Sequence, residues 1–435
     1  MAATNRTRHI GRMNSNGHPD SSAQAPLRRG RASWPLAVLA AVVGGMIPLA
    51  CATPPESPGE PGSGADPGGG HGAHAAWIRS TGLDQTLAGR SWLEWSQRAL
   101  TLPGDVPLPY HEEGVFGPEE GMALGYRIQL PVGQKLEVEL RDQEGRAVPF
   151  FMDVFTLEDG ADSAPLWSAA PRQTAGTFEP ADSGTFVLRV QPEVLRGGRY
   201  QVTLKPRAIL DFPVFGRTTS AILSFFGADR DGGRRSHHGV DIFAPRGTPV
   251  VAATAGRVRR VEVTNLGGKV VWLRDSERNQ SLYYAHLHEQ LVEEGAYVQP
   301  GDTLGLVGNT GNARTTPPHL HFGIYRRGRG PINPFPYLRQ PASDPAPLEA
   351  DPVRIGTRVA ADREGLRMRS GPTLRTDAVA ELPEATPVKV VAGAGEWYRV
   401  FTEDGTEGFV LARLVREVEP VQATGGVATS QAGGL

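Results

Sequence analysis

The chain has one cysteine, Cys51, in 435 residues. A single thiol excludes an intramolecular disulfide framework and any thiolate-rich zinc cluster. Long apolar runs are also missing: the longest, residues 34–50, holds two prolines and a Gly44-Gly45 pair. It falls short of the roughly 20 residues of a spanning helix. No basic run with interleaved aromatics occurs, which argues against nucleic acid as a partner. Helical periodicity is nearly absent from residues 210–340, so short strands must build that region. Hydrophobic content, 39%, is that of an ordinary folded protein, and the length gives room for two to four domains.

What is present begins at the N-terminus. Arg28, Arg29 and Arg31 precede the apolar run, which ends in small residues at Cys51. A charged segment, an apolar segment and a small-residue end read as an export signal over residues 1–51. Leu49-Ala50-Cys51 resembles the box at which bacterial lipoproteins are cleaved and lipidated on cysteine, although Pro48 stands where that box prefers leucine. Ala50-Cys51-Ala52 equally fits ordinary cleavage after a small-x-small pattern. Because the chain's single cysteine falls at this place, a lipid anchor at Cys51 is the expectation. Membrane contact is expected through that anchor alone, and the location is the bacterial cell envelope, periplasm or outer surface.

Residues 52–75, rich in Pro, Gly, Ser and Glu, read as a disordered linker in which His71 and His74 are solvated. Residues 76–207 form a first domain, with a Trp-containing, partly helical stretch (Trp77, Trp92, Trp95) before the strands. Apolar and polar residues alternate over 136–140, 186–190 and 200–204, which places one face of each strand in a core and the other in water. Such strands predict an antiparallel β-sandwich, similar to the sandwich modules that precede many secreted bacterial peptidases. Residues 210–340 form a second domain, 341–350 a linker, 351–417 a third domain and 418–435 a disordered tail.

Charge is uneven along the chain. Residues 52–210 carry 13 Lys+Arg against 21 Asp+Glu, and residues 211–340 carry 16 against 11. The second stretch holds six of the eleven histidines: His237, His238, His286, His288, His319 and His321. Asp241 follows His237 by four residues. Imidazole nitrogens and a carboxylate are the ligands of a hydrolytic zinc site with one position open, and spare histidines can transfer protons. In a strand, residues i and i+2 face the same way, so His319 and His321 could deliver two nitrogens to one groove. His286 and His288 make the same offer on spacing alone.

Resemblance to a known family separates the pairs. His237-x-Gly239-x-Asp241, followed by Gly247-Thr248-Pro249-Val250, resembles the opening motif of the LytM/lysostaphin-type zinc peptidases, peptidase family M23. Tyr284-Ala285-His286-Leu287 resembles the middle motif of that family. Gly308-Asn309-Thr310-Gly311 and His319-Leu320-His321-Phe322 resemble its closing one. The resemblance implies that His237, Asp241 and His321 ligate Zn2+. It further implies that His286 and His319 are catalytic, handling protons and the oxyanion, without saying which is the base. His238 and His288 are left to structural or rim roles. Arg314-Thr315-Thr316-Pro317-Pro318 is longer than the family's usual closing pattern, so the groove wall there is expected to be reshaped.

In the third domain, Leu366-Arg367-Met368-Arg369-Ser370-Gly371-Pro372, Trp397-Tyr398 and Glu407-Gly408-Phe409-Val410 resemble the bacterial SH3-like domain family, with Phe409 where tryptophan is commoner. Trp397 and Tyr398 are read as core residues of this unit, with ligand stacking as the alternative. The expected fold class is mainly β: an N-terminal antiparallel sandwich, a central all-β LytM-type peptidase domain and a small C-terminal SH3-like barrel. The implied function is an exported zinc endopeptidase that hydrolyses peptide cross-links or stem peptides of bacterial peptidoglycan. The alternatives are a catalytically silent wall-binding or amidase-activating module and a zinc peptidase of secreted proteins. Oligomeric state is not legible.

Overall fold

The computed structural model describes residues 69–418, apart from 143, 145–149, 159–162, 171–172, 231 and 343. The residues expected to form an export signal and to carry an anchor at Cys51, most of the expected linker and residues 419–435 lie outside the described residues. The described part is mainly β.

Two helices come first, Gly69–Ser80 and Leu87–Thr101. The first starts inside the stretch expected to be a disordered linker. Its glycines give it poor intrinsic propensity, but His71, Ala75 and Ile78 fall on one face and pack against Trp92. His71 is not solvated: its ring stacks on Trp92 at 4.6 Å and bonds Gln191 at 2.7 Å. Burial, then the charge of Arg189, holds its pKa well below the ordinary value, so it sits there neutral. The second helix is capped by Thr86, whose hydroxyl accepts from the Gly89 N–H.

The first domain is a sandwich, antiparallel except where Gly104–Asp105 pairs parallel with Tyr126 and Arg127. One sheet contains Leu124–Leu130, Gly184–Pro192 and Phe150–Thr156; the facing one contains Tyr110–Phe116, Gly198–Ala208 and Gln134–Arg141. Residues 136–140 and 200–204 alternate as the sequence predicts. Residues 186–190 do not: all five are buried. The helices cover that strand's outer face, where Val187 meets Leu100 and Phe155. Arg189 is tolerated there because it pairs with Asp153 at 2.7 Å and bonds Ser96 at 2.9 Å.

The third domain does not hang from its linker. Its strand Pro387–Ala394 pairs with Tyr110–Phe116 of the sandwich, matching Gly393 to Glu113 and Ala392 to Gly114. One continuous sheet therefore runs through both domains. Trp397 and Tyr398 are buried in it, and the Tyr398 hydroxyl donates to the Asp351 carbonyl at 2.9 Å. They are core residues.

In the second domain a large antiparallel sheet orders Val240–Phe243, His319–Arg326, Gln280–Leu287, Gly268–Asp275 and Gly256–Thr264 as neighbours. Leu320, Phe322, Ile324, Tyr284, Leu282, Val271 and Leu273 fill the core on one face. The other face is open, and the histidines stand there. Arg278 ties this domain to the sandwich through a two-pronged ion pair with Glu179, at 2.6 and 2.8 Å.

Candidate metal centre

Register brings the central residues together. Val240–Phe243 runs antiparallel to His319–Arg326 with Asp241 opposite His321 and Phe243 opposite His319. Directly paired residues project to the same face, so Asp241, His319 and His321 share the open side. His237 joins them from the turn before that strand. Gly239 makes the approach possible, since a Cβ there would lie 2.4 Å from the Phe322 carbonyl and 2.8 Å from the His321 ring.

His237 Nε2, Asp241 Oδ1 and His321 Nδ1 form a triangle with sides of 2.9, 3.0 and 3.0 Å. The His237 Nδ1 lies 2.9 Å from the Phe225 carbonyl. A carbonyl only accepts, so Nδ1 carries a proton, and in the singly protonated ring the Nε2 lone pair faces the Asp241 carboxylate, the form that can ligate a cation. Two acceptors at hydrogen-bond distance repel unless a cation lies between them. The donor set, two imidazoles and a carboxylate, fits zinc with one position open, and these residues would hold it. Without a cation the carboxylate is held only when His237 and His321 donate to it; burial works against ionisation of Asp241, but those donated bonds outweigh it and hold its pKa well below the ordinary carboxylate range. Its other oxygen accepts from Arg230 at 2.7 Å, an outer contact that fixes the carboxylate's orientation.

His286 and His319 flank the triangle. The ring of His286 is 5.1 Å from that of His319 and 5.9 Å from that of His321. His319 Nε2 stands 4.0 Å from Asp241 Oδ1, outside the triangle. Each commits its Nδ1 to a carbonyl, His286 to Thr310 at 2.9 Å and His319 to Pro317 at 2.8 Å, leaving Nε2 unprotonated in the neutral ring. Burial, then the His319 and His321 rings, pushes the pKa of His286 down to about 4. It is neutral at pH 7 and able to accept a proton.

His288 does not join them. His286 has φ 63°, the left-handed region, which ends the strand's alternation and separates the two rings. His288 is exposed beside Arg246, and His238 is exposed on the groove rim. Gly268 (φ 66°) holds the segment behind His286: a Cβ there would lie 2.2 Å from the Thr310 hydroxyl and 2.5 Å from the Gly311 nitrogen. Gly268→Ala is expected to cost about 2 kcal/mol or more, through strain and overpacking. It should also lower turnover, because Thr310 orients His286. Urea denaturation with steady-state rates checks this, and an unchanged midpoint would refute it.

The site opens into a groove of about 1000 Å³. Its wall includes Asn312, Ala313 and Thr316. Asn309 bonds the Arg314 and Thr316 carbonyls at 3.3 Å, fixing the long loop that the sequence flagged. Trp272, Tyr283 and Tyr325 form the floor beyond His321, with centroids 4.4 Å (272–283) and 5.1 Å (272–325) apart. Sequence reading missed this floor and Arg230. Strand alternation places Tyr325 on the face of His321, but the cross-strand register was needed to add Tyr283 and Trp272.

Residues 235–334 match the sequence model of peptidase family M23. The second domain is an M23 peptidase domain. Residues 364–416 match the bacterial SH3 domain. The chain is 37% identical over 139 residues to an L-Ala–D-Glu endopeptidase of Bacillus subtilis, covering 29% of this chain and 42% of that protein. It is 38% identical over 100 residues to peptidoglycan DD-endopeptidase ShyC of Vibrio cholerae, covering 22% of each. It is also 38% identical over 116 residues to the uncharacterized lipoprotein YgeR of Escherichia coli, covering 26% of this chain and 43% of that one. The chain thus spans less than half the length of each of these relatives.

Proposed function

We propose that this protein is an exported zinc endopeptidase that hydrolyses peptide cross-links or stem peptides of bacterial peptidoglycan, held at the envelope through Cys51. The observation that carries the reading is the triangle of His237, Asp241 and His321 with His286 and His319 beside it, all facing one groove. The names of the Bacillus and Vibrio relatives support the substrate, and the name of the Escherichia relative supports the anchor.

In this reading His237, Asp241 and His321 hold zinc. When bound, zinc polarises a peptide carbonyl and lowers the pKa of water towards neutrality. His286, neutral with an unprotonated Nε2, takes up a proton on the groove side. His319, oriented by the Pro317 carbonyl and by stacking on Phe243 at 5.0 Å, donates or accepts at its own Nε2. Protonated, either ring can hydrogen-bond a developing oxyanion. The aromatic floor positions the chain flanking the scissile bond.

The test is release of peptides from purified peptidoglycan by the zinc-loaded protein, with denatured protein as the competing substrate. Release of wall peptides is expected, and product masses identify the bond. Bound zinc without cleavage of either substrate would replace this reading with a silent wall-binding module. Cleavage of denatured protein alone would make it a general peptidase.

A further inference from the structure

The groove does not end at its aromatic floor. Trp272 also borders a second hollow, of about 730 Å³, lined by Arg259, Arg260, Arg274 and Arg327 with one acid, Glu294. Trp272 lines both hollows, so they lie side by side along one face of the sheet, a trough with Trp272 at its middle. The pairing accounts for this: Tyr283 lies opposite both Trp272 and Gly323, Ser281 opposite both Arg274 and Tyr325, and Arg260 opposite Trp272. Side chains on the face of His321 therefore pass from imidazole to aromatic ring to guanidinium.

Arg259, Arg260 and Arg327 are exposed. Arg274 bonds Asn279, and Arg260 lies 4.0 Å from Glu262. Among the described residues, Arg259 and Arg327 have no side-chain partner. A charge set this lopsided attracts an anionic ligand. Its distance from the metal centre indicates which part of a ligand it would meet. Tyr325 is four residues beyond His321 and Arg327 six, or about 13 and 20 Å along a strand. An extended peptide advances about 3.3–3.6 Å per residue. Four to six residues therefore reach from the reacting carbonyl to the arginines.

We infer that this trough binds an acidic peptide arm of the substrate, with Arg259, Arg260, Arg274 and Arg327 taking its carboxylates. The inference rests on the wall-peptidase reading and narrows it: the preferred substrate is a stem peptide bearing several carboxylates, not a neutral glycine bridge. A carboxylate chain is favoured over a phosphate polymer because the trough leads directly to the peptide-cleaving centre and is floored by rings that pack against a peptide's apolar groups.

Binding tests this apart from catalysis. The zinc-loaded full chain carrying His319→Ala, which slows turnover, is titrated with a fluorescent cross-linked dimer of stem tetrapeptides, long enough to reach the arginines, the same dimer with every carboxylate amidated, and an octaglycine amide. The acidic peptide is expected to bind about tenfold more tightly than the other two, the sum of two or three exposed ion pairs. Adding Arg259→Glu and Arg327→Glu, both on the surface, should bring the ratio to about one, with a thermal melt confirming the fold. Equal affinities before those changes, or a ratio that survives them, would overturn the inference. So would displacement of the peptide by polyglycerol phosphate at a lower concentration of anionic groups. If the binding ratio holds while the parent protein cleaves none of the peptides, charge selection stands and the hydrolase reading falls.

Discussion

His321→Ala is expected to abolish peptide hydrolysis and stoichiometric zinc binding together. His321 Nδ1 is one corner of the triangle, 2.9 Å from His237 Nε2 and 3.0 Å from Asp241 Oδ1. Its removal leaves two donors where a hydrolytic zinc site uses three. His319→Ala should behave differently, because its Nε2 stands outside the triangle. That variant is expected to keep zinc and lose about 10²–10⁴-fold in turnover, the range for a lost general acid or base. Zinc content after dialysis, measured beside the rates, separates the two. Chelation should lower the melting temperature of the parent, since a ligand of the native state alone stabilises it, and leave that of His321→Ala unmoved. A His321→Ala protein that retains zinc and turnover would remove His321 from the ligand set. A His319→Ala protein without zinc would add His319 to it.

The largest stability effect is expected at Arg399, far from the groove. Its guanidinium is fully buried where the sandwich and SH3 domains meet. It donates to Glu407 at 2.6 Å, to the Gly125 carbonyl at 2.8 Å and to Glu112 at 3.4 Å, and lies over the Tyr126 ring at 4.8 Å. Glu112 also accepts from the hydroxyls of Tyr110, Tyr126 and Tyr200 at 2.6, 2.7 and 2.8 Å. Burial works to discharge Arg399, but Glu407 and Glu112 outweigh it and hold its pKa well above the ordinary value. Arg399→Met strips two buried carboxylates of their cation, which is expected to cost about 3–5 kcal/mol. Adding Glu112→Gln and Glu407→Gln should recover much of that. Denaturant unfolding measures both, and a loss below about 1 kcal/mol would show the cluster to be relaxed or hydrated. The shared sheet further implies that sandwich and SH3 domain unfold in one transition.

The joint between these domains changes what the third domain is. Sequence reading places it after a linker, as a separate third domain. In the fold it completes the sandwich sheet, and its tryptophan and tyrosine serve that packing. Glu112 and Arg399 are 287 positions apart, and nothing local to either announces the other. A buried charge looks in sequence like any surface charge, because its partner is chosen by the tertiary fold. The helix at Gly69–Ser80 was hidden for a related reason: its glycines argue against it, and only contact with Trp92 offsets that propensity. The same contact buried His71. Val187 and Arg189 faced core instead of water because helices from another part of the chain lie over them.

From the sequence alone came the β-rich class, the likeness to the M23 and SH3 families and the proposal of five residues for the centre, of which the fold gathers His237, Asp241 and His321 into one triangle. Those were legible because strand alternation is local and because the histidine and glycine spacings matched a motif in order. Tertiary structure alone supplied the reason that His288 stays out, a left-handed backbone at His286, and alone decided that Arg230 braces Asp241 and that aromatic rings and arginines from neighbouring strands continue the groove. Each depends on register between distant strands, and register is set by packing the whole sheet.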